Sequence, residues 1–442
     1  MSGARPLLIG EVTVDFTPPT PTNGPKMRLG GVVHAARGLW ASGLAYSVGA
    51  FCPAYLVDQA RDYLTRHGCQ EFLLLGEITG APNVIIIGDV QEIGHQGYED
   101  ILRDEKRILP ARESPNLTPY DPVVIFPGRY DLRGVLDKLN ARSRLTIDIA
   151  YDVDDIASLG SFSGRFNSIV ISTSSSLFMK IASTDLSPLL DFLTSIGAQF
   201  LLLKENRGGS RLFDLRSGDV ERIPAWLGVT ENSVGVGDVF TALFGTLNAS
   251  AREAAWRGMQ AATVYSRTTW PDDLRRDVDR ELRVPIDVIR GLGGVSLPWH
   301  ARPSLPLYLA APDFSYANHA EIKTAVEALE YHNFHVRRPI KENGEAERDT
   351  SIVSLAPYYS ADVRLLRDCA AVFAIPIERD PGTLVEVGLA IQMGKPVITF
   401  DPRGENRNTM VVVGSSTYSS DLDICLNGVF DALSKLQRES GT

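Results

Sequence analysis

Short apolar runs alternate along this chain with amphipathic stretches that stop at glycine, and that alternation restricts the fold to layered α/β architecture. Residues 7–16 read as a first strand. Residues 32–42 follow as a helix stopped by Gly43, and residues 55–67 as another stopped by Gly68, since glycine accepts the left-handed conformation at a helix end. Residues 83–89 read as a strand, 186–196 as a helix ended by Gly197, and 200–204 as a buried strand. Between Trp270 and Leu305 the pattern breaks: prolines at 271, 285, 298 and 303 and glycines at 291, 293 and 294 read as a connector. It then restarts with a strand at 307–311, a helix at 318–331 carrying Asn318 and Glu321 as an N-cap pair, and a strand at 370–376. A helix at 382–393 closed by Gly394, a strand at 396–400 and a helix at 422–436 complete it.

A chain of 442 residues exceeds what one hydrophobic core usually serves. The expected division is a first domain at 1–295, a linker at 296–305 and a second domain at 306–442. The second is expected to be a smaller doubly wound (flavodoxin/Rossmann-like) five-stranded parallel-sheet domain, with its ligand outside the carboxyl ends of the strands.

Composition narrows the class of function. Hydrophobic residues make up 44% and charged residues 22%, so apolar material suffices for large cores. Lys and Arg number 44 against 54 Asp and Glu, a net charge of −10, which argues against nucleic acid or an anionic membrane as partner. Small anionic ligands stay open, because backbone amides suffice to bind them. No apolar run approaches the roughly 20 residues of a membrane span, and residues 1–10 lack the pattern of an export signal. Cys52, Cys69, Cys369 and Cys425 stand apart beside apolar sequence, as reduced buried thiols of a cytoplasmic protein do.

The densest chemistry lies at Asp380-Pro381-Gly382-Thr383-Leu384-Val385-Glu386-Val387-Gly388-Leu389-Ala390. Asp380 stands where it can cap a helix, and Glu386 sits among Leu384, Val385, Val387 and Leu389. Two readings are open on the residues alone. Glu386 either lies on a polar strip and pairs with Lys395 or Arg379, or it is an enclosed carboxylate with a raised pKa and a poor hydration shell.

Four blocks in order resemble the nucleoside 2-deoxyribosyltransferase family over residues 306–436. Tyr308 to Phe314 (YLAAPDF) resembles its opening strand and loop; Asp368 to Ala374 resembles a second strand; Asp380 to Ala390 resembles its D-x-GT-x-x-E-x-G-x-A helix; and Asn408-Thr409-Met410 resembles its N-x-M. The resemblance implies that Glu386 attacks the anomeric carbon of a deoxynucleoside and holds the sugar as an ester, the two-step logic of retaining glycosidases. It further implies that Asp380 contacts or helps protonate the base, and that Tyr308, Pro312, Phe314 and Gly382 line the pocket. Asn408 and Met410 are implied to contact the sugar and to reach a neighbouring subunit, hence a homodimer or larger homo-oligomer; no cofactor is required. Asp362 is the nearest candidate for a further family aspartate, at a short spacing from Asp368, and alanine stands at 311 where the family has glycine.

A second constellation is Asn232-Ser233-Val234-Gly235-Val236-Gly237-Asp238, opening a helical run to Leu247. Small residues at a helix start leave amides free for an anion, and Asp238 is placed to take a proton from an attacking hydroxyl; a tight turn with a capping aspartate explains the same letters. Together with Gly10 to Asp15, the Gly30-Gly31 turn and Lys204 through Gly208, it resembles the ribokinase-like (PfkB-type) sugar kinase family over about 260 residues. The resemblance implies a ribokinase-like three-layer α/β/α domain, with Asp238 as base and Gly235, Val236 and Gly237 as anion hole. Lys204 and Gly208 are implied on the nucleotide side, Asp15, Gly30 and Gly31 on the sugar, and ATP and Mg²⁺ as cofactors. The departures are Asn232 where the family has aspartate, a replaced asparagine within Val32 to Ala36, and Ile171 to Ser176 in place of its N-x-x-E element.

The expected whole is an enzyme of nucleoside metabolism acting on an N-glycosidic bond, fused to a domain that phosphorylates a nucleoside or sugar or serves as a scaffold. Its partners are a small-molecule nucleoside, nucleotide or sugar. The alternatives are a kinase with a regulatory nucleotide-binding C-terminal domain and a non-catalytic nucleotide sensor. His332 and His335 lack an acidic or cysteine partner in sequence and read as structural.

Overall fold

The computed structural model describes residues 5–20, 24–317, 319–346 and 351–440. Its contacts divide the chain into two units: one of residues 1–92, 96–226 and 230–293, the other of 93–95, 227–229 and 294–442.

In the first unit the main sheet runs Val220–Ile223, Ser210–Asp214, Phe200–Lys204, Phe166–Ser172, Leu145–Asp148, Val123–Ile125, Leu7–Thr17, Tyr46–Pro53, Cys69–Thr79, Arg107–Pro110. Its central strands are parallel and its edges antiparallel. Consecutive residues such as Leu7, Leu8 and Ile9, or Leu201, Leu202 and Leu203, are all fully buried, so both faces of the sheet are covered. The helices Val32–Ala41, Val236–Thr246 and Ala251–Arg267 contribute to that cover through Val33, Leu39, Leu243 and Ala261.

The strand Leu7–Thr17 is longer than its neighbours need. Its first half lies in the main sheet; Val12 to Thr17 then pair antiparallel with Lys26–Gly31, and Val14 to Phe16 pair with Val84–Ile86. This side sheet carries Thr13 and Asp15 beyond the carboxyl edge of the parallel strands. Gly30 and Gly31 end the strand Lys26–Gly31 and lead straight into the helix Val32–Ala41.

The proline-rich stretch after Trp270 is not an open connector. Pro271 opens a helix at Pro271–Leu282, and Pro285 is the residue just before a second at Ile286–Leu292. Proline lacks an N–H that a first helical turn does not need, so it starts helices as readily as it ends them. Residues 296–305 hold the 3₁₀ turn Trp299–Ser304, with Leu297 and Trp299 buried.

The second unit has a five-stranded, all-parallel sheet in the order Val336–Arg337, Leu307–Ala310, Ala371–Ala374, Val397–Phe400, Thr417–Ser419. This is the doubly wound arrangement expected, with the order reversing between Leu307–Ala310 and Ala371–Ala374. Strand alternation sends Leu307, Leu309, Phe373 and Ile398 to the face covered by Ala320–Tyr331 and Leu422–Glu439. Tyr308, Ala310, Val372 and Ala374 go to the other face, under Ile352–Asp368 and Pro381–Gln392. Asn318 lies outside the described residues; the helix after it begins at Ala320.

Among the described residues no helix is long and apolar enough to cross a membrane. All four cysteines are buried free thiols.

Candidate active sites

In the second unit the pleat places Tyr308 on the sheet face that the Pro381–Gln392 helix covers. On that helix Thr383, Val387 and Ala390 are buried against the sheet, and Glu386 projects from the same side, half-buried. The fully buried Tyr308 donates its hydroxyl to Oε1 of Glu386 at 2.5 Å. Burial pushes the Glu386 carboxyl up to about 7, Asp362 and Asp380 add to the rise, and the Tyr308 hydrogen bond opposes it. The Tyr308 hydroxyl is itself driven upward by burial and by the charge of Glu386, so it stays a donor.

Asp362 comes from the helix Ile352–Asp368, one turn before the buried Leu365 and Leu366, and accepts from Nδ2 of Asn343 at 2.8 Å. Burial raises its pKa as well. Asp380 caps the Pro381–Gln392 helix: its Oδ2 accepts from the Thr383 amide at 2.7 Å and the Thr383 hydroxyl at 2.8 Å. Gly382 sits beside it, where a Cβ would stand 3.2 Å from that oxygen.

Tyr308, Glu386, Asp362, Asp380 and Gly382 therefore gather at the carboxyl edge of the sheet. Pro312 is buried where the Leu307–Ala310 strand leaves the sheet, and Phe314 stacks on Tyr316 with centroids 5.3 Å apart. The Asp313 between them takes two bonds from Arg338, at 2.7 and 2.6 Å. Asn408 caps its own short helix through the Met410 amide at 2.9 Å, and the Met410 side chain is 78% exposed.

In the first unit Asp15 is buried, and its Oδ2 lies 2.7 Å from Nε2 of His34. Burial pushes its carboxyl up, yet His34, Arg28 and Arg37 hold it below the ordinary value overall. Gly30 packs on it so tightly that a Cβ there would come within 1.9 Å of Oδ1. Gly31 has φ +61°, and a Cβ would strike the Glu11 carbonyl at 2.2 Å.

Gly235 opens the helix Val236–Thr246 at φ +85°, with the His34 ring against it. Asp238 stands in the first turn of that helix, half-buried. Burial raises its carboxyl to about 7, opposed by Lys204 and reinforced by Asp148 and Asp15. Lys204 was expected on the nucleotide side, and the structure gives its ammonium to Asp148 Oδ2 at 2.7 Å, with Thr241 Oγ1 at 3.3 Å and the Gly237 carbonyl at 3.4 Å. Thr241 also donates to Asp148, at 2.7 Å. Gly208 ends the 3₁₀ turn Asn206–Gly208 and donates to the Glu205 carbonyl at 3.0 Å. Sequence reading missed Asp148, Thr241 and the role of His34, because no local motif joins residues this far apart.

The profile of the nucleoside 2-deoxyribosyltransferase family matches residues 307–422, the stretch that holds Tyr308, Asp362, Asp380 and Glu386. The second unit carries a nucleoside 2-deoxyribosyltransferase domain. Solved structures similar to the N-terminal part of the chain are ribokinase-family kinases. One is a ribokinase from Giardia lamblia, 15% identical, covering 63% of this chain and 99% of its own, with TM-score 0.46. Another is a nucleoside kinase from Methanocaldococcus jannaschii, an archaeal member of the ribokinase family, with the same identity, coverages and TM-score. A third is a ribokinase from Cryptococcus neoformans in complex with ADP, at 12% identity, with coverages of 63% and 99% and TM-score 0.47. No curated protein matches the chain.

Proposed function

We propose that the deoxyribosyltransferase domain cleaves or transfers the N-glycosidic bond of a deoxynucleoside or its nucleotide through a covalent glycosyl-Glu386 intermediate. The observation that carries this is the Tyr308–Glu386 pair: a carboxylate lifted out of water's full hydration, with one oxygen oriented at 2.5 Å by a buried phenol. The free oxygen attacks C1′ as the C1′–N bond breaks, and the bonding pair leaves with the base, which takes up a proton. Asp380 is the group we assign to base contact. A water or a second base then attacks C1′, loses a proton, and returns Glu386 as carboxylate. Incubation with a panel of deoxynucleosides and their monophosphates, followed by mass spectrometry of the quenched protein, tests it. A sugar adduct on Glu386 is the expected product, and turnover with no adduct in burst-phase samples and undiminished in Glu386→Gln sinks the proposal.

For the first unit we propose phosphoryl transfer from ATP to a nucleoside or sugar hydroxyl, with Asp238 as base and Asp15 holding the sugar. The support is local. Asp238 titrates near neutrality beside the anion-accepting start of an 11-residue helix, with the Lys204 ammonium beneath it. The Val236 amide donates to the Ser233 carbonyl at 3.1 Å, so the support rests on the helix dipole and this cation, which suit the phosphates of a nucleotide, and Mg²⁺ is taken to arrive with the donor. In the step, the hydroxyl gives its proton to Asp238 as its oxygen bonds to the terminal phosphorus and the nucleoside diphosphate leaves. Asp238→Asn is expected to abolish labelled phosphate transfer. We further propose a homodimer or larger assembly through the face bearing the exposed Met410, which light scattering tests.

A further inference from the structure

The strand Val397–Phe400 delivers a buried acid to the carboxyl edge of the second unit's sheet. Asp401, the next residue, is 2% exposed and closes a tight turn on itself. Its Oδ1 accepts from the Glu405 amide at 3.0 Å, and its Oδ2 accepts from the Asn406 amide at 2.8 Å and the Tyr418 hydroxyl at 2.5 Å. Burial pushes the carboxyl up, yet the bonds from Tyr418, Asn406 and Glu405 hold it below its ordinary value overall. An ionised carboxylate only accepts, so it fixes these donors in one arrangement.

The turn reaches across to the segment that precedes the Pro381–Gln392 helix. Asn406, 5% exposed, donates Nδ2 to the Pro376 carbonyl at 2.5 Å, and the same nitrogen lies 3.4 Å from Asp401 Oδ1. Two acceptors on one side settle which end of the amide points there. Glu405 accepts twice: its Oε2 from the Glu378 amide at 2.9 Å, and its carbonyl from Arg379 Nε at 3.1 Å.

What these bonds hold is strained. Glu378 has φ +59° and Arg379 φ +53°, consecutive left-handed positions that neither side chain favours. Asp380 follows directly and caps the helix that carries Glu386. Such residues persist only where their surroundings dictate them, and here Asn406 and Glu405 do so.

We propose that Asp401 and Asn406 are positioning residues for the chemistry of Glu386: the turn closed by Asp401 keeps Glu378 and Arg379 left-handed and thereby sets where Asp380 and the Pro381–Gln392 helix begin. The inference rests on the glycosyl-transfer reading of that helix. In this role neither residue contacts substrate; both act through the backbone that leads to Asp380.

The test compares the full chain as wild type, as Asn406→Ala, and as Asn406→Ala with Glu378→Gly. Alanine removes the Pro376 bond and leaves the amide bonds to Asp401 in place. Glycine adopts a left-handed φ without strain, so it supplies by its own preference what the turn otherwise imposes. Two quantities are read below the unfolding transition of all three: the single-turnover rate of sugar adduct on Glu386 with the deoxynucleoside panel, and hydrogen–deuterium exchange of residues 380–387 without substrate. Asn406→Ala is expected to slow adduct formation by about tenfold or more and to quicken exchange in that segment alone, and Glu378→Gly is expected to recover both. Glu405→Ala, which removes the acceptor of the Glu378 amide, takes the place of Asn406→Ala if that variant does not fold.

An unchanged adduct rate in the folded variant, exchange that quickens evenly over the second unit, or no recovery with Glu378→Gly overturns the inference and leaves the glycosyl-Glu386 reading standing. If the wild type forms no adduct, that reading ends and exchange decides by itself. Local quickening reversed by the glycine upholds the positioning role, and unchanged exchange overturns it.

Discussion

Tyr308 and Glu386, 78 residues apart in sequence, meet through a 2.5 Å hydrogen bond between a buried strand and the helix that covers it. The phenol remains a donor, so the bond fixes one carboxylate oxygen and leaves the other for chemistry. Glu386→Gln keeps the shape and removes the proposed nucleophile. Cleavage or transfer of the glycosidic bond is expected to fall by about 10³-fold or more, read by chromatography of the free base.

The pH profile follows from the raised carboxyl. In the proposed mechanism Glu386 attacks only when ionised, and burial lifts its pKa to about 7, so kcat/KM is expected to rise with pH and level off above that value. Stability runs the other way. The folded-state value lies above the ordinary 4.5, so the folded chain holds an extra proton between the two, and stability falls as pH rises from about 4.5 to 7. In Glu386→Gln this part of the pH dependence of denaturant unfolding is expected to vanish.

Tyr308→Phe removes the one interaction that lowers the Glu386 pKa. The acid limb of the profile is expected to move to higher pH, with a rate loss of about tenfold at pH 7 and a stability cost of about 1 kcal/mol. A limb that stays in place shows that the phenol does not bear on the nucleophile.

Lys204 and Asp148 form a buried pair at 2.7 Å, with Asp148 fully enclosed. Lys204→Met leaves a carboxylate without its cation and is expected to destabilise the first unit by about 3–5 kcal/mol in denaturant titration. Lys204→Met with Asp148→Asn is expected to recover much of that loss. Because Lys204 also lowers the Asp238 pKa, any phosphoryl transfer left in the single variant is expected to need higher pH.

Gly235→Ala forces an L-residue into φ +85° and drives its Cβ to 2.3 Å from His34. A loss of about 2 kcal/mol or more is expected, seen as a lower Tm for the first unit.

What the sequence made legible was contiguous. Asp380, Glu386 and the glycines around Asp238 sit in short motifs, and period and glycine stops located most of the elements that carry them. What it hid was of two kinds. Pro357 inside Ile352–Asp368 masked a 17-residue helix, and with it the placement of Asp362; likewise Pro271 and Pro285 disguised helix starts as a connector. The other kind is long-range assembly. His34 reaches Asp15 across 19 positions and Tyr265 across 231, and Lys204 reaches Asp148 across 56, pairings that only the packing of helices and the order of strands bring about. Lys204 itself stands in a short motif, but its bond to Asp148 could not be read from that motif.

Asp380 does two jobs with one carboxylate. The atom that starts the Pro381–Gln392 helix belongs to the same carboxylate that biases Glu386. A mutational survey scoring only loss of function at position 380 would merge a local unravelling with a chemical defect. Asparagine separates them, since it begins a helix as well as aspartate does and brings no charge.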